Sequence, residues 1–150
     1  AKYITVTGGE PLAQPECLAL LTTLANEGYS VSLETSGALD IAQVDLRVSK
    51  VMDLKAPGSG EVHRNLNSNI AYLNRHDQVK IVITDRQDYD WAKLQCDQFC
   101  LYERVDDVLF SPAHGQLSPT TLAEWILADR LNVRMQLQLH KYLWNNQPGH

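Results

Sequence analysis

Apolar positions along the chain come in short β-branched runs separated by longer stretches with helical spacing. Six runs read as strands: Tyr3–Thr7, Tyr29–Glu34, Lys50–Leu54, Gln78–Thr84, Asp107–Ser111 and Val133–Leu139. Between them, Pro15–Glu27, Asp40–Asp45, Asn67–Asn74, Asp88–Tyr102 and Pro119–Arg130 can each hold a helix. Leu18, Leu21, Leu24 and Ala25 make one helical stripe. Leu122, Trp125, Ile126 and Leu131 make another behind a Ser118-Pro119 start. Strict alternation of strand and helix predicts an α/β fold with a parallel sheet and right-handed crossovers. Six repeats are too few to close an eight-stranded barrel, so the sheet is expected to be open or a partial barrel wall.

Polar residues fall at the carboxyl ends of these strands, where parallel α/β folds bind ligands. The ends read Thr7-Gly8-Gly9-Glu10, Glu34-Thr35-Ser36-Gly37, Asp53-Leu54-Lys55, Thr84-Asp85, Ser111-Pro112-Ala113-His114 and Gln138-Leu139-His140-Lys141. Polarity also enters the strands themselves. Ser32 and Glu34 alternate with Val31 and Leu33, and Gln136, Gln138 and His140 share one face at period two. Such a face needs water or a polar ligand against it. The glycines of the first turn allow a close backbone approach beside an acid.

The chain has 150 residues, about one domain, with 44% hydrophobic residues and a net charge of −5. No run approaches the roughly 20 apolar residues of a membrane span, and no basic run marks a nucleic-acid face. The opening residues lack the basic, apolar, small-residue order of a signal peptide. Three cysteines without framework spacing fit a reducing cytoplasm. Cys96 and Cys100 read CxxxC, but the position completing an iron–sulfur CxxxCxxC is Glu103. With Ala92 and Phe99 they follow helical spacing and read as packing residues. His63, His76 and His114 have no ligand spacing.

Taken as residues alone, the strand ends also suit an aldolase-like barrel with Lys55 as a Schiff-base lysine, or a module that only binds a ligand or partner. The joined segments "VTGGEPLAQ", "SLETSGALD", "DLKAPGSGE", "DQVKIVITD", "LFSPAHGQL" and "MQLQLHKYLW" narrow the choice. They resemble the radical S-adenosylmethionine enzymes, and among these the 7-carboxy-7-deazaguanine synthases. The resemblance implies a partial parallel (βα)6-type barrel over residues 1–150. It implies conversion of 6-carboxytetrahydropterin to 7-carboxy-7-deazaguanine with loss of ammonia, in the pathway to queuosine and other deazapurines. The implied cofactors are S-adenosylmethionine, a 4Fe–4S cluster and Mg²⁺. The resemblance further implies that reductive cleavage of the methionine cofactor yields a radical that takes hydrogen from the substrate.

On the matching positions, Gly8, Gly9 and Glu10 are expected at the methionine end of the cofactor. Glu34, Ser36, Asp53 and Lys55 are expected to hold its other polar groups. Thr7, Gln138, His140 and Pro148 are expected to face the pterin. The family's CxxxCxxC loop and Mg²⁺ ligand belong before the first strand read here, so the chain is expected to lack the first barrel strand, the cluster loop and the metal ligand. The resemblance further implies a flavodoxin- or ferredoxin-type electron donor, a homodimer, a cytoplasmic location, and no direct contact with nucleic acid or membrane.

Overall fold

A computed structural model describes residues 1–143, apart from the side chains of His140 and Tyr142. The order is β1 (Tyr3–Val6), α1 (Cys17–Asn26), β2 (Ser30–Thr35), β3 (Ser49–Asp53), β4 (Gln78–Ile83), α2 (Arg86–Gln98), α3 (Leu101–Arg104), β5 (Asp107–Pro112), α4 (Pro119–Asp129), β6 (Arg134–Met135) and α5 (Leu139–Leu143), with short 3₁₀ turns between. All six strands are parallel and lie side by side in chain order. β1 and β6 are the two edges, so the sheet is not closed.

The period-two pattern sorts the faces. Val79, Ile81 and Ile83 of β4 are fully buried, and they share a core with Leu21 of α1, Tyr89 and Ala92 of α2, and Leu122 of α4. The opposite face carries Thr5 beside Ser32, Glu34 beside Val51, and Asp53 beside Lys80. Helices therefore cover one face, and the other is left polar, as the alternation in β2 predicts.

At the amino end of β3 the buried Lys50 meets the buried Asp77, with Nζ 3.0 Å from Oδ2. Asp77 also accepts from the backbone N–H of Lys50 at 2.7 Å and of Asn74 at 2.9 Å. At the other end of β3, the carboxylate of buried Asp88 in α2 accepts from the backbone of Gly58 (2.8 Å) and of Thr84 (3.1 Å). A Cβ at Gly58 would lie 2.2 Å from Thr84 Oγ1 and 2.5 Å from Asp88 Oδ2.

Several expectations are corrected. Residues 40–45 form turns, not a helix. Asp40 and Asp45 accept from the backbone N–H two residues on (2.9 and 3.0 Å), which closes local turns that compete with a helix. The segment at 67–74 is a 3₁₀ stretch, Asn67–Tyr72. The helix expected over Asp88–Tyr102 breaks at Cys100, whose φ of 51° is left-handed, and α3 follows. Cys96 is buried in the core as expected, but the break leaves Cys100 exposed.

The sixth strand is the largest departure. It spans Arg134–Met135, with one further bond from Gln136 N to Phe110 O at 2.9 Å. The next donor on β5 would be Pro112, which has no N–H, so the ladder stops. The chain turns into α5 through Lys141 N to Gln138 O at 3.0 Å. Gln136, Gln138 and His140 therefore do not share a strand face. His140 stands on α5, its side chain outside the described residues, and Pro148 lies outside them altogether.

Candidate functional site

The first three strands end in the turns that build the site. After β1 the chain passes through Gly8 and Gly9 with φ of 100° and 56°, a left-handed path that glycine takes without strain. None of the described residues lies within 4 Å of where a Cβ would stand on either residue, so among them this backbone faces open space. β2 delivers Glu34, Thr35 and Ser36, and β3 delivers Asp53 and, two residues on, Lys55.

A cavity of about 150 Å³ brings together Thr7, Gly9, Glu34, Ser36, Asp53 and Lys55. Those residues come from three separate stretches, and the sequence reading named each of them. Thr35, Val51 and Lys80 complete the lining. A second cavity of about 520 Å³ adjoins it. Ser36 and Lys55 line both, and Glu10, Leu39 and Arg64 line the second alone.

The polar groups are tied in a definite order. Thr7 Oγ1 donates to Glu34 Oε2 at 3.1 Å. Lys55 Nζ lies 2.6 Å from Asp53 Oδ2. Asp53 Oδ1 is buried and has no hydrogen-bond partner among the described residues, an uncompensated acceptor at the cavity wall. Asn65 clamps the Lys55 backbone from both sides, accepting from its N–H at 2.9 Å and donating to its C=O at 2.8 Å. Asn69, fully buried, donates to the carbonyls of Gly37 and Leu39 and accepts from the Ile41 N–H. The loop after β2 is thereby fixed against the segment between β3 and β4.

The Glu10 side chain turns toward the end of β2. It accepts from Thr35 Oγ1 (2.9 and 3.1 Å), Ser36 N (2.7 Å), Ser36 Oγ and Leu12 N (3.2 Å). Burial pushes its carboxyl up, but the hydrogen bonds from Ser36, Leu12 and Thr35 outweigh that and hold it below the usual range.

Two of the expected residues stand elsewhere. Gly8 belongs to the turn but does not line the small cavity. Gln138 lines a separate cavity of about 320 Å³ with Thr84, His114 and Lys141, beyond β4 and β5. Ser111 Oγ, on the polar face of β5, is buried without a partner among the described residues. The Schiff-base reading of Lys55 needs a desolvated neutral amine, and an ammonium held at 2.6 Å by Asp53 is the opposite.

No family model matches the chain. Among curated proteins, the 7-carboxy-7-deazaguanine synthase of Chlorobaculum tepidum is 45% identical over 148 residues, covering 97% of this chain and 67% of that protein. The chain belongs to the 7-carboxy-7-deazaguanine synthase family. The synthase of Koribacter versatilis is 40% identical over 154 residues, covering 94% of this chain and 68% of that protein. Among solved structures, Streptococcus suis SuiB bound to S-adenosylmethionine superposes with a TM-score of 0.63 at 13% identity, over 91% of this chain and 38% of that one. That likeness is one of fold, and the open six-stranded sheet is the radical S-adenosylmethionine α/β fold.

In this member of the 7-carboxy-7-deazaguanine synthase family, two residues that the sequence pattern did not single out stand beside the strand-end residues. Lys80 faces Asp53 across the β3–β4 ladder. It stands two residues before Val82 on the polar face, so period-two spacing could have found it. Asn65 could not be found that way. Its contact with Lys55 spans ten residues of irregular chain.

Proposed function

We propose that this chain forms the cofactor-holding wall of a radical S-adenosylmethionine synthase that converts 6-carboxytetrahydropterin to 7-carboxy-7-deazaguanine with loss of ammonia. The observation that carries the reading is the small cavity, in which carboxylates and lysines stand together around a buried, unpartnered carboxylate oxygen. S-adenosylmethionine fits this set of groups. Its ammonium suits Glu34 and the open Gly9 backbone, its carboxylate suits Lys55 and Lys80, and a hydroxyl donor would satisfy Asp53 Oδ1. Together with a reduced iron–sulfur cluster, the bound cofactor supplies the hydrogen-abstracting radical chemistry. The protein's part is to fix the reacting groups and exclude side reactions. The clamp on Lys55 by Asn65 and the tie between Thr7 and Glu34 serve that fixing. Thr7, Gln138, His140 and Pro148 are assigned to the pterin side.

The cysteines described here do not fit a 4Fe–4S cluster, which needs several thiolates converging on one point. Cys17 is buried on α1, Cys96 is buried on α2, and Cys100 is exposed at the break before α3. Nor, among the described residues, do three His, Cys, Asp or Glu side chains converge to hold a metal such as Mg²⁺. The cluster and Mg²⁺ are therefore assigned to residues other than those described. Among the described residues no helix is long and apolar enough to cross a membrane. The flavodoxin- or ferredoxin-type donor, the homodimer and a cytoplasmic location belong to the same proposal. Calorimetric titration with S-adenosylmethionine tests it. Asp53→Ala is expected to weaken binding about tenfold, as for the loss of a charged hydrogen-bond partner. No binding by the unaltered protein, or equal binding by the variant, would sink the reading.

A further inference from the structure

The acid of the GGEP turn is already fully engaged within the protein. Four donors converge on the Glu10 carboxylate: Thr35 Oγ1, Ser36 N, Ser36 Oγ and Leu12 N. A carboxylate offers about four lone-pair sites, so a cofactor group could bind it only by displacing one of these bonds. Each hydroxyl has a single proton, and both protons point at Glu10. Thr35 Oγ1 in turn accepts from Gly37 N (3.3 Å), and Ser36 Oγ accepts from Ala38 N (3.4 Å). Ser36 lines both cavities, and with its proton committed it can meet a ligand only as an acceptor. Thr7 is fixed the same way, its proton given to Glu34.

We propose that Glu10 is a positioning residue that locks the Ser36 and Thr35 hydroxyls as acceptors toward the ligand and fastens the β1 turn to the end of β2, rather than a group that touches the cofactor. The acceptor wall so formed selects a ligand donor, an ammonium or a hydroxyl, and disfavours a carboxylate at Ser36. A glutamine at position 10 offers N–H groups where Ser36 needs an acceptor. The Ser36 hydroxyl would then be free to turn its proton outward.

This rests on the proposed cofactor binding, so the test has one arm that is independent of it. In the ligand-free protein, the Ser36 amide resonance should lie downfield and exchange slowly, and Glu10→Gln should abolish both features. In the binding arm, Glu10→Gln and Ser36→Ala should each weaken S-adenosylmethionine about tenfold, the order of a lost charge-assisted bond. The double variant should be no weaker than Glu10→Gln alone, because both act through one bond. Two losses that multiply, or a Ser36 amide indifferent to Glu10→Gln, overturn the assignment. If Glu10→Gln does not fold, Thr35→Val with Ser36→Ala removes the same hydroxyls from the other side. It should again cost about tenfold, and undiminished affinity overturns the assignment. If the unaltered protein binds no S-adenosylmethionine, the functional reading fails and the amide arm still decides the role of Glu10.

Discussion

Replacing Asp77 by Asn should be among the most damaging single changes away from the site. Asp77 and Lys50 are 0% and 1% exposed, so neither charge has water to fall back on. Asp77→Asn keeps one acceptor oxygen but removes the counter-charge 3.0 Å from Lys50 Nζ. It also sets an amide N–H₂ against one of the two backbone donors, that of Lys50 at Oδ1 or that of Asn74 at Oδ2. Removing one partner of a buried pair costs about 3–5 kcal/mol. Lys50→Met should cost less, about 1.5–3 kcal/mol, because the carboxylate keeps its two backbone donors. The double variant should be more stable than Asp77→Asn alone, since no charge is then left buried without a partner. Urea unfolding followed by tryptophan fluorescence and circular dichroism would measure all three. The pair lies at the amino end of β3, opposite the cavity, so cofactor affinity should hold within about twofold. A cost under about 1 kcal/mol for Asp77→Asn, or strict additivity in the double variant, would refute the reasoning.

Acid sensitivity should trace in part to Glu10, whose folded pKa the bonds from Ser36, Leu12 and Thr35 hold below the ordinary carboxylate value. Its stabilisation is present above that value and lost as pH falls through the folded pKa, so the stability gap between unaltered protein and Glu10→Gln should narrow on acidification. A gap unchanged with pH counts against the hydrogen-bonded carboxylate. Native-state alkylation with iodoacetamide, mapped by peptide mass spectrometry, should mark Cys100 first. Burial pushes the Cys96 thiol up to about 12, and Cys17 is buried as well. Labelling of Cys96 as fast as Cys100 would mean the α2 core is more open than described.

The β-branched runs of the first five strands were legible because a buried face forces alternation, and the observed ends agree within about two residues. The same alternation made Glu34, Asp53 and Lys55 readable as neighbours, and the register brings them to one cavity. What failed depended on partners distant in sequence. The sixth strand has the right residues, but Pro112 on its neighbour ends the ladder. Asp40 and Asp45 have helical surroundings but close their own turns. The bonds that engage Glu10 were not legible either, because a sequence shows an acid beside glycines, not the two hydroxyls that converge on it from 25 and 26 residues away.

Gly58 is a point of mechanical contact between two loops. With no space for even a methyl group against Thr84 and Asp88, a larger residue at 58 displaces either those two side chains or the piece of chain after β3. Lys55 lies three residues upstream on that piece. Divergence in this region should therefore be concerted: a larger residue at 58 requires a smaller one at 84 or 88. Otherwise the change carries through to the lysine at the cavity wall, although none of these three positions lines that cavity.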